Sequence, residues 1–221
     1  MPHDEIDDSR SESAVEVLAA PGAPTAPAVR KRPKPGERRV QILQALGAML
    51  EQPGAERVTT AALAARLDVS EAALYRHFAS KAQMFEGLID FIEQSIFTLV
   101  NQITERDAPG QEQAARIVSL LVQFAEKNPG MTRVMVGDAL VYENERLQQR
   151  MNQFFDKIEA SLRQALRGAA SADGSATPSV DAQVRASALT SFAVGRLQRF
   201  ARSGFRRLPS EHLEATVALM L

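Results

Sequence analysis

The sequence predicts an all-α protein, with a small N-terminal three-helix domain of the helix-turn-helix type and a larger C-terminal helical domain. Apolar residues recur at helical spacing from Glu37 onward, and no segment shows the alternation of a half-buried strand. Residues 59–81 hold two short helical patterns joined by a tight Leu-Asp-Val turn. We therefore divide the chain into a tail over residues 1–36, the helix-turn-helix domain over 37–82 and the C-terminal domain over 83–221.

The first 36 residues are predicted to be a disordered tail that ends in a basic arm. Prolines stand at positions 21, 24, 27, 33 and 35, which forbids a continuous helix. Up to residue 29 the tail holds six acidic side chains and one arginine, and it then turns basic in the run Arg30-Lys31-Arg32-Pro33-Lys34. We interpret this run as a phosphate-contacting arm rather than a solvated face, because it directly precedes the helix-turn-helix.

Charge is distributed unevenly, although the net formal charge of the 221 residues is only −1. Residues 30–81 contain ten basic and five acidic side chains, so positive charge concentrates beside and within the helix-turn-helix. Such a concentration is typical of a surface that meets the phosphates of a nucleic acid.

The helices of the N-terminal domain each have their own signals. The first is an amphipathic helix that stops near Pro53-Gly54, and Thr59 or Thr60 then caps the second. In the second helix we expect three residues to face a small core, namely Ala62, Leu63 and Ala65.

The third helix is expected to run from Ser70 to His77, short enough to lie in a major groove. Ser70 is its N-cap, Glu71 suits its positive end, and Phe78 is expected in the core.

The C-terminal domain is predicted to consist of further helices. They are expected over residues 81–106, 112–127, 130–137, 147–166, 180–203 and 210–221. Residues 168–179, GAASADGSATPS, are predicted to form a flexible surface loop.

The last long helix carries a stripe of small residues, Ala188, Ser191 and Gly195, which would let another helix approach closely. We interpret the stripe as the seam of a homodimer, because a two-fold partner is needed to read a palindrome, although an ordinary core contact would also explain it. The adjacent arginines are expected to be solvated or in intersubunit ion pairs rather than a second DNA site. They are Arg196, Arg199 and Arg202.

The helix-turn-helix signature resembles that of TetR-type regulators. It comprises Thr59-Thr60, Leu63-Ala64, Val69-Ser70, the run Leu74-Tyr75-Arg76-His77-Phe78, Lys81 and Phe85. The likeness continues over residues 37–167 to the nucleoid occlusion factors of proteobacteria within that family. Its most telling part is Glu126-Lys127-Asn128-Pro129-Gly130. It is weaker over residues 168–221 and absent from the first 36.

That resemblance implies homodimers that bind palindromic sites on double-stranded DNA. It also implies that the DNA-bound form contacts the C-terminal tail of the tubulin-like division protein FtsZ and disrupts its polymers, so that no septum forms over the nucleoid. We accordingly expect a cytoplasmic, nucleoid-associated protein that needs no cofactor and no membrane.

The residues expected to contact DNA follow the motif. They are Arg38, Arg39, Thr59, Thr60, Ser70, Glu71, Ala72, Ala73, Tyr75, Arg76, His77 and Lys81, with further charge from Arg57. Threonine hydroxyls and the Tyr75 hydroxyl suit phosphate oxygens. Ala72 and Ala73 suit thymine methyl groups, and Glu71 suits a cytosine amino group.

The resemblance also implies a partner groove between the helix after Lys81 and the helix that ends at Asn128. Its residues would be Phe91, Leu120, Lys127 and Asn128. Core packing would equally explain the two apolar residues, and helix capping would explain Lys127. Leu99 and Gln123 depart from the family pattern, which expects a basic and a small residue there.

Other function classes find little support in the sequence. The chain has no cysteine, its histidines at 3, 77 and 212 lack metal-ligand spacing, and no glycine-rich phosphate loop is present, so we expect no enzyme. We also expect no signal peptide and no membrane span, since no apolar run approaches about 20 residues. Two alternatives remain: a ligand-responsive TetR-type repressor, which needs an internal pocket with polar groups, and a purely structural dimer, which leaves the motif and the basic arm unexplained.

Overall fold

The computed structural model describes residues 36–52, 58–172 and 174–221, and throughout these ranges the regular structure is helical, without a strand. The helices are α1 (Glu37–Leu50), α2 (Thr60–Arg66), α3 (Glu71–Tyr75), α4 (Lys81–Thr104), α5 (Gly110–Lys127), α6 (Pro129–Met135), α7 (Glu145–Ala172), α8 (Pro178–Arg202) and α9 (Leu213–Met220), with a 3-10 turn at Asp138–Leu140. The all-α prediction is confirmed. The predicted tail before Gly36, its basic run, Pro53-Gly54 and Arg57 lie outside the described residues.

Helices α1 to α3 pack around one small core. Leu46 of α1, Leu63 of α2 and Leu74 of α3 are buried, and Phe78 closes this core beside the start of α4. The expectation that Ala62 and Ala65 face the core was wrong: both are exposed and Ala64 is buried instead. Because α2 has only seven residues, its buried stripe is limited to Leu63, Ala64 and the half-buried Leu67, and positions 62 and 65 point away from it.

Side-chain caps define where the short helices begin. The Thr59 hydroxyl accepts from the Ala62 amide at 3.2 Å, and the Ser70 hydroxyl accepts from the Ala73 amide at 3.3 Å. Helix α3 is shorter than predicted and ends at Tyr75, with Arg76 as its C-cap. His77 and Phe78 form a turn on the Leu74 carbonyl, which lets the Phe78 ring enter the core.

The chain beyond the small N-terminal core is built on the long antiparallel helices α7 and α8; α5 packs against both, and α4 packs against α7. Residues at helical spacing on each helix supply its core. They include Ile92, Ile96, Leu121, Phe154, Ile158, Leu189 and Leu197.

The predicted loop over residues 168–179 was wrong at both ends. Helix α7 continues to Ala172, and α8 already begins at Pro178. Three alanines at 169, 170 and 172 favour the helix enough to offset the cost of Gly168, and proline suits the first turn of α8.

Helix α4 runs without a break across the predicted domain boundary at residue 82.

Helix α6 packs across this boundary against α1, so closely that a Cβ on Gly130 would stand 2.1 Å from the Gly47 carbonyl oxygen. This contact has room only for hydrogen at position 130, so glycine is needed there. The division into domains at residue 82 stays a prediction.

Ion pairs join the first half of α4 to the start of α7. Arg146 contacts Glu86 at 2.6 Å, and Arg150 contacts both Asp90 and Glu93 at 2.6 Å. Hydrogen bonds with Glu93 and Asp90 outweigh desolvation and raise the pKa of Arg150 above its ordinary value, so it stays charged at any working pH. We call this set of contacts the α4–α7 clamp.

Two buried threonines give a matched test of the core. The Thr132 hydroxyl donates to the Ala125 carbonyl at 2.8 Å, whereas the Thr190 hydroxyl is buried and has no hydrogen-bond partner among the residues that the structure describes. We expect Thr132→Val to lower the free energy of unfolding by about 1 kcal/mol, because a hydrogen bond is lost, and Thr190→Val to raise it by a similar amount, because an unsatisfied hydroxyl is removed. Urea denaturation of both variants measures the difference, and equal effects of the same sign would contradict it.

Candidate nucleic-acid interface and partner surface

Helix α3 presents one face outward beyond the small N-terminal core. Glu71, Ala72, Tyr75 and Arg76 are exposed, and Ala73 is half-buried. Tyr75 is 45% exposed although Phe78, three residues on, is 1% exposed. The core role expected for Phe78 is therefore confirmed, and the Tyr75 ring and hydroxyl lie on the surface.

The starts of α2 and α3 lie side by side. The Thr60 hydroxyl donates to Glu71 Oε2 at 2.6 Å, which ties one helix start to the other. Because Thr59 and Ser70 cap their helices by accepting, their hydroxyl protons remain available to donate to another oxygen. The structure thus brings together four of the residues predicted to contact DNA, namely Thr59, Thr60, Ser70 and Glu71. One carboxylate oxygen of Glu71 already accepts a hydrogen bond from Thr60.

Arg39 and Arg38 lie on α1 beside this face. The Arg39 guanidinium donates to the His77 carbonyl, and its centre is 4.1 Å from the centroid of the Phe78 ring. Arg38 donates to Gln41 Oε1 at 3.0 Å. Arg39 therefore holds α1 against the end of α3, a structural role that its sequence position did not reveal.

Lys81 is held by a residue just before α7. Its ammonium group forms an ion pair with Glu143, whose side chain is only 10% exposed, and it lies 5.6 Å from the centroid of the Phe85 ring. Sequence reasoning missed Glu143 as the partner of Lys81, because the two residues are 62 positions apart. Of the predicted basic contacts, Arg76 is the one whose side chain is exposed without a hydrogen bond or ion pair in the described chain.

A second surface lies between α4 and α5. Phe91 is 48% exposed, and its ring lies 6.3 Å from the ring of Phe124, tilted by 40°. Leu120 is half-buried one turn before Phe124, so these three side chains form an apolar strip. The alternative that Phe91 belongs to the core is wrong, because a core aromatic ring would be covered.

Polar residues lie at the end of this strip. Asn128 is half-buried and donates to the Phe124 carbonyl at 2.8 Å, while Lys127 is exposed. Leu99 and Gln123, which depart from the family pattern, are also exposed. Phe124 is half-buried beside Phe91, and in the sequence only its spacing of four residues from Leu120 indicates this place.

Helix α8 leaves one apolar face uncovered. Val180 and Val184 are about two-thirds exposed, and Ala188 and Ser191 continue the same face. A Cβ placed on Gly195 would meet no atom within 4 Å. The predicted small stripe is therefore open to a partner and is no core contact within the described chain.

Within the described ranges, no three His, Cys, Asp or Glu side chains are grouped to hold a metal ion. No helix in those ranges combines the length and the apolar character needed to cross a bilayer.

Two family patterns match the chain. Residues 42–88 match the family of bacterial regulatory proteins described as the tetR family, and residues 112–221 match a tetracyclin repressor-like C-terminal domain. Among solved structures, the chain is similar to the TetR family transcriptional regulator PfmR from Thermus thermophilus, with a TM-score of 0.66 and 23% identity over 82% of this chain and 97% of that one. This likeness shows the fold.

Similarity to whole proteins is closer. The nucleoid occlusion factor SlmA of Idiomarina loihiensis is 50% identical over 183 residues, which cover 83% of this chain and 93% of that protein. The nucleoid occlusion factor SlmA of Vibrio vulnificus is 48% identical over 188 residues, which cover 85% of this chain and 95% of that protein. With an outward-facing α3, two matching family patterns and this level of identity, the chain belongs to the SlmA family of nucleoid occlusion factors, a branch of the TetR-type regulators.

Proposed function

We propose that this protein is a dimeric, sequence-specific DNA-binding factor that, once bound to palindromic chromosomal sites, binds the C-terminal tail of FtsZ and disrupts FtsZ polymers over the nucleoid. The observation that carries the partner role is the half-exposed ring of Phe91 on α4, which lies beside the half-buried ring of Phe124 on α5. An aromatic ring left half exposed on a rigid helix is a typical anchor for a peptide.

The DNA-binding step is assigned to α3 and the residues beside it. Tyr75 and Arg76 are exposed at its end, and the free hydroxyl protons of Thr59 and Ser70 suit phosphate oxygens. Ala72 and Ala73 bring small methyl groups to the base edges. Arg39 acts mainly through His77 and Phe78, by fixing the angle at which α3 is presented.

The dimer is assigned to the uncovered face of α8. A palindrome has two half-sites, so a two-fold dimer places one α3 in each. Valines and small residues along α8 form a self-complementary surface that another α8 would bury.

The partner step is assigned to the strip of Phe91, Phe124 and Leu120. An extended tail would lay apolar side chains on this strip, and Lys127 at its end would meet an acidic group of the tail. The exposed Leu99 lengthens the apolar strip where the family pattern expects a basic residue, so hydrophobic contacts replace an ion pair there.

The alternative of a ligand-responsive repressor has weaker support. A pocket for a small effector needs several inward polar groups. In the described chain the buried polar side chains are Thr132 and Thr190, and Thr132 is bonded to the α5 backbone. Because the other buried side chains are apolar, the core favours a packed interior over a pocket for a polar effector.

For DNA binding, we expect Tyr75→Ala to weaken binding to a selected palindromic duplex about tenfold, because a contact from the end of α3 is lost. Fluorescence anisotropy measures the affinity, and circular dichroism confirms that helicity is kept. The variant Tyr75→Phe keeps the ring and removes the hydroxyl, so its affinity shows which of the two groups makes the contact. Unchanged affinity of Tyr75→Ala would remove α3 from the interface.

For the dimer, we expect Val184→Glu to convert the protein to a folded monomer. Val184 is 63% exposed in the single chain, so a charge there is harmless to the monomer but costly once a partner covers it. Sedimentation velocity gives the mass. A Val184→Glu protein that remains a dimer would place the interface elsewhere.

For the partner, we expect wild-type protein with its palindromic duplex to reduce sedimentable FtsZ polymer at concentrations where protein or duplex alone does little. Phe91→Ala should weaken this effect about 30-fold, as expected for the loss of a central aromatic anchor, with unchanged DNA affinity.

Tyr142→Ala is the matched control for Phe91→Ala, because Tyr142 is a 70% exposed aromatic residue away from the strip, and it should behave like wild type. If wild-type protein and duplex leave the FtsZ polymer intact, the result contradicts the division role and supports the ligand-responsive repressor instead.

A further inference from the structure

A cluster of arginines at the end of α8 has no role in the function proposed above. Residues 196–212 contain five arginines and one glutamate. Arg196 is engaged within the chain, where it donates to the Glu211 carbonyl at 2.8 Å and lies 4.9 Å from the Phe192 ring. The other four are exposed and make no ion pair in the described part of the chain. We call them the α8-end arginines, and they are Arg199, Arg202, Arg206 and Arg207.

The turn that carries two of these arginines is firmly held. The Ser203 hydroxyl accepts from the backbone amides of Arg206 and Arg207 at 3.1 and 2.9 Å. Gly204 and Phe205 both have a positive φ, 62° and 63°, which reverses the chain directly after α8. A left-handed phenylalanine is strained, and the Phe205 ring packs 5.2 Å from that of Phe200. The arginines therefore project from a defined surface.

This turn lies at the end of the molecule that carries the helix-turn-helix. Phe205 stacks under the guanidinium of Arg133 in α6, at 5.2 Å, and the same short helix touches α1 through Gly130. The antiparallel course of α7 and α8 leads to the same placement. Gln183 near the start of α8 donates a hydrogen bond to Glu159 in the second half of α7. The end of α8 is thus next to the start of α7, where Glu143 holds Lys81.

The proposed dimer brings two copies of the cluster together. Arg202 lies two helical turns beyond Gly195 on the same face of α8, so it continues the stripe that would form the dimer seam. Two Arg202 side chains near a two-fold axis repel each other unless an anion lies between them. On a palindrome, the duplex between the half-sites crosses that axis.

We propose that the α8-end arginines bind the DNA phosphates between the two half-sites, at the two-fold axis of the bound dimer. The inference rests on the proposed function, since it needs a dimer on a palindrome. For Arg199 and Arg202 the sequence alone favoured solvated or intersubunit roles, because it did not reveal that the turn after α8 contacts α6 through Phe205 and Arg133. The engagement of Arg39 and Lys81 within the chain leaves the helix-turn-helix with fewer free cations, and this cluster supplies them.

The test compares Arg206→Gln/Arg207→Gln with wild type in the full-length protein. Both bind a palindrome recovered by in vitro selection, and a second duplex in which neutral methylphosphonates replace the phosphates between the half-sites. Fluorescence anisotropy over a series of salt concentrations gives the slope of log affinity against log salt. This slope is negative, and we expect its magnitude to decrease by roughly 0.9 for each lost phosphate contact. For the four substituted arginines of the dimer, the decrease is up to about 3.6. On the neutral duplex, variant and wild type should bind alike.

The matched control is Arg116→Gln/Arg167→Gln, which removes the same charge near the opposite end, where α5 begins beside α7 at Gly110 and Ala165. Its slope should equal that of wild type. Arg207→Gln alone should show about half of the effect with an unchanged melting temperature, because the Arg207 side chain makes no hydrogen bond within the described chain. This single variant keeps the test valid if Arg206→Gln disturbs the Ser203 turn.

Three outcomes would overturn the proposal. The first is a slope of the double variant equal to that of wild type, and the second is a loss of slope that persists on the neutral duplex, which would put the contacts elsewhere. The third is a double variant that binds DNA normally but no longer shortens FtsZ polymers, which would assign the arginines to the protein partner. By contrast, a wild-type protein with no preference for any palindrome would contradict the proposed function itself.

Discussion

The α4–α7 clamp is the interaction on which the rest of the structure depends. Arg146 and Arg150 of α7 pair with three acidic residues of α4, and Glu143 just before α7 pairs with Lys81 at the first residue of α4. The Lys81–Glu143 and Arg150–Glu93 pairs are partly shielded from water, so they hold α4 more effectively than the exposed pairs of Arg146 with Glu86 and of Arg150 with Asp90. Because α4 also begins directly after the helix-turn-helix, the clamp acts together with the Arg39 contact to position α3.

One rigid helix therefore serves two surfaces. Lys81 and Phe91 are ten residues apart on α4, a rise of about 15 Å. The end of α4 next to the helix-turn-helix and the exposed Phe91 ring are thus fixed relative to each other by the backbone hydrogen bonds of α4. A change at one surface that shifts α4 is felt at the other, which suits a factor whose partner binding is proposed to depend on DNA.

Local patterns in the sequence sufficed for the helices and for the DNA-reading motif. Capping serines and threonines, apolar spacing and Pro-Gly breaks depend on neighbours within a few residues, so the all-α class, the caps at Thr59 and Ser70 and the buried Phe78 were all predictable. The loop over residues 168–179 was mispredicted because Gly168 was taken as a break, whereas the alanines that follow it carry α7 on to Ala172.

Only the tertiary structure decided which residues of these helices meet or stay uncovered. The pairing of Lys81 with Glu143, the Arg39 contact with His77 and the Gly130–Gly47 approach all join residues far apart in the chain. Periodicity alone also left Phe91 between core and surface, because an apolar residue looks the same in both places, and its exposure became evident only from the packing of α4 on α5. The reason is physical: spacing along a helix determines which face a side chain takes, and the neighbouring helices determine whether that face is covered.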